Sequence, residues 1–308
     1  MVDEKIQAYR NEMTEKMVEA LKQGVAPWQK PWHSDKAPRN AATGRLYNGV
    51  NSVILSLIGL EAGWNDPRWA TFEQAKTKGW NIRKGSKGIK VIFWKSIAKP
   101  VLNEYGKPVL NEDGTPKMKT IPFARFFTVF HASQIDKIPA YKPNTLTAGE
   151  ANEKAERIIA DSGAVIRHGG NRAFYSPEDD YIQLPVRENF IDAAGYYATV
   201  LHELGHWTGG KSRLNRDLTG RKGSIPYARE ELVAEMCAMF VSAETGIPQT
   251  KEHFENHAAY IESWISLLTS DPNALFKAAA DANKAAEYIL KAERKREKTA
   301  NETQNSAA

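Results

Sequence analysis

Cysteine is nearly absent. Cys237 stands alone in 308 residues, which excludes an intrachain disulfide framework and suits a reducing compartment. Long apolar runs are missing too: no stretch approaches the roughly 20 residues that a membrane span needs. The N-terminus reads as a charged amphipathic helix and not as a signal peptide. These absences point to a soluble, cytoplasmic protein with no membrane partner. The Gly85-Ser86-Lys87-Gly88 loop is not a Walker A sequence, so it does not imply a nucleotide triphosphatase.

Acidic residues are scarce only at the front. Residues 1–140 hold 22 Lys+Arg against 13 Asp+Glu, a surplus of +9, whereas the remainder carries 20 against 24, or −4. Six of the eight tryptophans (Trp28, Trp32, Trp64, Trp69, Trp80 and Trp94) also fall in this front part. A basic, aromatic-rich front joined to an acidic back predicts two modules. The expected boundaries are a first domain over 1–140, a linker at 141–147, a second domain over 148–291 and a charged, frayed tail over 292–308.

Local patterns fill in the elements. Ile6, Tyr9, Met13, Met17 and Leu21 share one face of a helix over 3–23, ended by Gly24 and the proline-rich run Pro27–Trp32. Residues 51–60 are apolar enough for a buried helix, and Thr71 with Gln74 has capping-box spacing for a short one. Strands are expected over 81–84, 89–96 and 123–130, the first two joined by Gly85-Ser86-Lys87-Gly88. A near repeat, residues 101–108 and 109–116, is too short for a solenoid and reads as an extruded, mobile hairpin or loop. A helix over about 148–162 opens the second domain. Tyr181–Leu184 reads as a strand, either structural or able to bind a peptide along its edge.

The most specific chemistry lies at Leu201-His202-Glu203-Leu204-Gly205-His206, an H-E-x-x-H run. Asp192 is a plausible N-cap, and Tyr196, Tyr197, Val200, Leu201 and Leu204 follow at helical spacing, with Gly209-Gly210 as a stop. Two histidines four apart on a helix share a face and can reach one ion, with Glu203 beside them as the general base of a zinc peptidase. A helix with paired surface histidines is the bland alternative, and the apolar surroundings argue against it. No third histidine follows at metzincin spacing. The third ligand is therefore sought in Tyr227-Ala228-Arg229-Glu230-Glu231-Leu232-Val233-Ala234-Glu235. We expect Glu231 to be the ligand and Glu235 to hydrogen-bond a ligand histidine from behind, with the swapped assignment open. Tyr227 is a candidate oxyanion donor, and Glu230 reads as a surface charge. The ligand set favours Zn²⁺, while Mn²⁺ or another divalent ion also suits two imidazoles and a carboxylate.

The front module suggests a different partner. Trp80, Arg83, Lys84, Lys87, Lys90 and Trp94 interleave cations with flat rings, as single-stranded nucleic acid requires of a surface, and Arg45 adds another cation. Strand alternation would place Lys90, Ile92 and Trp94 on one face and Val91, Phe93 and Lys95 on the other. Against this, tryptophans are commonly core residues and scattered lysines commonly form a solvated face.

Several longer motifs resemble one family. Pro27-Trp28-x-x-Pro31-Trp32, Asn40-x-x-Thr43-Gly44-Arg45-x-Tyr47-x-Gly49-x-Asn51, Trp69-x-Thr71-x-x-Gln74 and Arg83-Lys84-Gly85-x-Lys87-Gly88 carry the front half. Leu184-Pro185, the run 201–209, Arg213-Leu214-Asn215-Arg216 and the run 227–235 carry the back half. Together they resemble the ArdC antirestriction family, whose N-terminal domain is shared with TraC-type primases. The resemblance implies a plasmid-borne protein that binds single-stranded DNA, carries a zincin-like metallopeptidase domain and protects incoming DNA from host restriction during conjugation. His202, Glu203 and His206 carry over directly, and the third ligand only as a Glu of the 230–235 run.

The expected fold class is therefore α+β: an N-terminal α+β single-stranded-DNA-binding domain, then a mainly helical, gluzincin-type zincin-like domain with a small sheet. The leading function is a metalloprotease delivered by single-stranded DNA to a protein substrate, such as a DNA-bound or restriction-system protein. The alternative is a DNA-masking protein whose metal site is structural or vestigial, and the intact Glu203 weighs against it. A metal-dependent nuclease fits less well, because such sites favour carboxylate-rich or two-metal arrangements.

Overall fold

In α1 (Val2–Lys22) the apolar stripe Ile6, Tyr9, Met13, Met17 and Leu21 is buried, and Gly24 leaves the helix with a positive φ of 72°. The computed structural model describes residues 2–29, 36–143, 146–247 and 260–306. Pro31, Trp32 and residues 144–145 of the expected linker lie outside the described residues. The chain divides into two compact units. One comprises Met1–Arg39, Arg45–Pro67 and Ala140–Ala308, the other Asn40–Gly44 and Arg68–Pro139. No described helix is long and apolar enough to cross a membrane.

This division differs from a single boundary at residue 140, because α1 and α2 (Gly49–Glu61) belong to the larger unit. Their apolar faces are covered there. Tyr9 meets Phe276 edge-on at 5.9 Å, Trp28 meets Trp264 at 5.5 Å, and the Thr14 hydroxyl donates to the Pro272 carbonyl at 2.8 Å. Sequence proximity to the basic module says nothing about which surface an amphipathic helix will find. The larger unit continues with α4 (Ala148–Ser162), whose Thr147–Glu150 capping box starts it and whose Gly163 ends it in a left-handed conformation. A three-stranded sheet follows, then α5 (Ala193–Trp207), α6 (Ile225–Thr245), α7 (Ile261–Ser270) and α8 (Ala274–Ser306). The expected frayed tail from 292 is instead helical to Ser306. Glu293 is 5% exposed and meets Arg157, Lys154 pairs with Glu297, and Arg294 pairs with Glu244, which ties the charged segment back to α4 and α6.

The sheet of the larger unit has the order β7-β9-β8, with β7 (Val165–His168) parallel and β8 (Phe174–Ser176) antiparallel to β9 (Tyr181–Leu184). Tyr181–Leu184 is thus the central strand, paired on both sides, and cannot take a peptide on its edge. The edges belong to β7 and β8, and β8 is only three residues long and carries little signal of its own.

In the smaller unit, β4 (Ile89–Pro100) and β5 (Met118–His131) form a long antiparallel ribbon, registered from Ile89↔Val129 to Pro100↔Met118. With β1 (Arg39–Asn40) and β2 (Arg68–Thr71) they make a sheet of order β1-β2-β5-β4. β3 (Asn81–Ile82) pairs with β6 (Ile135–Asp136) and not with β4, as two strands joined by Gly85–Gly88 would suggest. The near repeat closes as two successive tight loops at the ribbon's end, bridged at Leu102↔Pro108 and Leu110↔Pro116, with Gly106 and Gly114 in the left-handed region. The repeated Asn-Glu-x-Gly sequence thus builds one turn twice. The Asn103 carboxamide oxygen accepts from the Tyr105 and Lys107 amides, and Asn111 accepts the Gly114 amide on its carbonyl.

Candidate metal centre and cleft

Helix α5 begins where Asp192 accepts the Gly195 amide at 2.8 Å, and the four-residue step within it brings His202 and His206 to the same face. α6 begins at Ser224, whose hydroxyl accepts the Tyr227 amide, with Pro226 in its first turn. The two helices approach at Gly205, where an added Cβ would lie 3.1 Å from the Ala234 Cα. That closeness brings the Glu230–Glu235 face of α6 against the imidazoles. Gly205→Val is expected to force the helices apart, costing about 1–3 kcal/mol of stability and weakening divalent-ion binding. Thermal melts and zinc titration check it, and wild-type values in both would mean that this contact does not set the site.

The Nε2 atoms of His202 and His206 lie 3.2 Å apart, and each is 3.6 Å from a different oxygen of Glu231. One atom from each of these three residues falls within 4.8 Å of the others, a group able to hold a metal ion. Glu235, fully buried, lies on the other side of His202, 3.5 Å from Nδ1. Glu203 is also buried, at 6% exposure. Burial pushes its carboxyl above the ordinary value, against the pull of His202 and His206. Burial also disfavours charge on His202, yet Glu231, Glu235 and Glu203 outweigh it and hold that imidazole up to about 9. Glu231 shows the reverse balance: desolvation opposes its ionisation, and the two imidazoles hold it down to about 2.

Glu230 is not a surface charge. It is 9% exposed and 3.2 Å from His206 Nδ1, while Arg216 reaches it with Nε at 3.0 Å and Nη2 at 2.7 Å. The pair holds its carboxyl below the usual range although burial alone would raise it. Arg216 also donates to the Gly205 carbonyl at 2.7 Å and to Thr208 Oγ1 at 2.9 Å, capping the end of α5. The bare backbone of Gly209 and Gly210 makes room: a Cβ on Gly209 would meet Arg216 Nη2 at 3.0 Å, and one on Gly210 would collide with the Arg213 guanidinium. A glycine pair that reads as a helix stop is therefore also the seat of two arginines. Each imidazole is in this way backed at Nδ1 by a carboxylate.

The centre opens on a cleft of about 700 Å³ walled by β8 on one side and by the loop and start of α6 on the other. Tyr227 lines it, its hydroxyl 3.1 Å from that of Tyr260 and close to Glu231. Burial, followed by the Glu231 charge, pushes the Tyr227 phenol upward, so it stays a donor. Tyr260 has no motif around it and was not legible in the sequence.

Residues 7–130 match the family model for the N-terminal domain of anti-restriction factor ArdC, and residues 153–281 match that for a zincin-like metallopeptidase. The crystal structure of antirestriction protein ArdC from plasmid R388, metal-free, superposes with a TM-score of 0.72 at 36% identity, covering 91% of this chain and 96% of that one. The chain belongs to the ArdC antirestriction family. The Mn(II)-bound structure of the R388 protein matches at 35% identity with the same TM-score, over 92% and 97% of the two chains. Similar proteins include the DNA primase TraC of Escherichia coli, 44% identical over 93% of this chain, and the uncharacterized protein y4eC of Sinorhizobium fredii, 35% identical over 90% of each. The chain spans only 27% of that TraC and 20% of a second one.

The N-terminal ArdC motifs converge locally. Asn40 accepts the Ala42 and Thr43 amides and donates to Gln74 Oε1 at 3.0 Å, while Gln74 closes the capping box with Thr71 at the start of α3 (Phe72–Thr77). The residues expected to meet DNA are not equally open. Half-buried Trp80 packs on the small core of Ala70, Ala75 and Ile135, and Arg83 is tied to Asp136 and the Ser133 carbonyl. Lys84, Lys87 and Lys90 are exposed, Trp94 is 50% exposed, and exposed Arg45 belongs to the larger unit. Trp28 and Trp69 are buried and act as core.

Proposed function

We propose that this ArdC-family chain is a zinc-type metallopeptidase joined to a single-stranded-DNA-binding module, acting against restriction of incoming DNA. The observation that carries the peptidase reading is the electrostatic composition of the centre. Four buried carboxylates, Glu203, Glu230, Glu231 and Glu235, face two imidazoles and one guanidinium. Buried negative charge in that excess calls for a cation. His202, His206 and Glu231 would hold it through two nitrogens and an oxygen, a donor set suited to Zn²⁺, and the Mn(II)-bound relative supports a divalent ion. Such an ion supplies Lewis acidity.

The chain's own groups do the rest. Glu203, its carboxyl raised by burial and outside the ligand set, takes the proton of the attacking water and returns it to the leaving amine. Tyr227, with Tyr260 beside it, offers a hydroxyl to the developing oxyanion. Glu235 and Glu230 fix the two imidazole rings from behind. The edge of β8 provides backbone donors and acceptors along which an extended peptide can lie.

The test is chelator-sensitive cleavage of an unstructured protein by zinc-loaded chain, with and without single-stranded DNA. Absence of cleavage under both conditions would overturn the enzyme reading and leave a DNA-masking protein. For the DNA module, Lys84→Ala with Lys87→Ala is expected to weaken binding and flatten the salt dependence, by about 0.7 in slope for each phosphate no longer neutralised. An unchanged slope removes those two lysines from the surface.

A further inference from the structure

The β4–β5 ribbon carries a charge and ring pattern of its own. Its two paired strands hold Lys90, Lys95, Lys99, Lys119 and Arg125 and no acidic residue. The register places Phe93 opposite Arg125, Lys95 opposite Phe123 and Lys99 opposite Lys119. Side chains alternate across a strand, so these six residues share one face. They form a checkerboard of rings and cations. Phe93 is 44% and Phe123 47% exposed, so both rings present a face to solvent between the cations.

The rings are also held in place. Phe127, on the same face, meets Phe93 edge-on at 5.4 Å and lies under the Arg125 guanidinium at 4.9 Å. Among the described residues no carboxylate pairs with Lys95, Lys99, Lys119 or Arg125. Cations without carboxylate partners on a flat ribbon, with exposed rings between them, complement a polyanion that bears flat, unstacked groups. From Phe93 to Lys99 the strand runs about 20 Å, at roughly 3.3 Å per residue, room for several nucleotides in extended form.

We propose that this ribbon face is the track for single-stranded DNA, with bases stacked on Phe93 and Phe123 and phosphates on Lys95, Lys99, Lys119 and Arg125. It rests on the single-strand-binding reading given under Proposed function, and it moves the centre of binding from Trp80 and Arg83 to residues outside the longer sequence motifs. Duplex DNA keeps its bases stacked internally and offers these rings nothing to accept.

The experiment is fluorescence anisotropy of the full chain with a labelled oligothymidylate and with duplex DNA, across a salt series. Phe93→Ala with Phe123→Ala is expected to weaken single-strand binding by roughly 5- to 100-fold per ring and to leave the salt slope unchanged. Lys95→Gln, Lys99→Gln and Lys119→Gln together, all exposed and tolerant of change, are expected to reduce the slope by about 2. Wild-type affinity in the phenylalanine variant, or a wild-type slope in the lysine variant, overturns the ribbon assignment while single-strand binding itself stands. A parent chain that binds no oligothymidylate overturns both. Equal losses on duplex and single strands would overturn the stacking role.

Discussion

Glu203→Gln is expected to lower peptide cleavage by at least about 10²–10⁴-fold, the usual weight of a general base, while metal binding and oligonucleotide binding stay at wild-type level. The amide keeps the shape of the carboxylate but accepts no proton. Glu203 is not among the three groups whose atoms converge, so its loss should not empty the site. Zinc titration and anisotropy on the same preparation separate a chemical defect from a structural one. Cleavage at the wild-type rate would remove Glu203 from the chemistry. Measuring protection of incoming DNA in the same variant apportions antirestriction between the modules: protection that survives belongs to DNA binding, protection that disappears belongs to proteolysis.

Arg216→Ala is expected to be the most destabilising single change near the centre. Arg216 and Glu230 are both nearly buried, with side chains 9% and 11% exposed. Removing the cation leaves Glu230 without its main partner, which typically costs about 3–5 kcal/mol. It also withdraws the donors to the Gly205 carbonyl and Thr208, so the end of α5 beside His206 loses its cap. Because Glu230 then no longer holds the His206 ring, zinc affinity should fall by about 10–100-fold. Arg216→Lys separates the effects. It restores a charge but not the forked contact, so stability should recover more than zinc affinity. Urea unfolding and chelator-competition titration read the two; wild-type values for the alanine variant would show that the pair is incidental.

The fate of Glu230 shows where sequence reasoning stops. A helical wheel places it about 100° from Glu231, and on an isolated helix that is an ordinary solvent-facing position. Its burial depends on Arg216, which arrives from a loop whose path no periodicity describes. Trp80 and Arg83 are placed by contacts of the same kind, although Arg83 keeps 53% of its side chain exposed. Composition counted them among basic and aromatic neighbours, but β3 pairs with β6, which draws Arg83 to Asp136, and Trp80 packs on a small core. The ribbon face, by contrast, was half visible. Alternation separated Phe93 and Lys95 from Lys90 and Trp94, but the cross-strand register that adds Phe123, Arg125 and Lys119 needed the partner strand.

What the sequence by itself determined is what a few consecutive residues decide. Asp192 caps α5, the four-residue step brings His202 and His206 to one face, and capping boxes start α3 and α4, because helix geometry is set by hydrogen bonds within a turn. The tertiary structure alone decided which carboxylate of α6 meets the Nε2 side of the imidazoles and which lies behind them. Glu231 and Glu235 share a helix face and differ by one turn, so their order relative to His202 depends on where the two helices touch. That point is the contact of Gly205 with Ala234, a property of two surfaces distant in sequence. The same holds for α1 and α2. Their amphipathicity is written in the chain, but the surface that buries it is available only once residues 260–290 have folded against them.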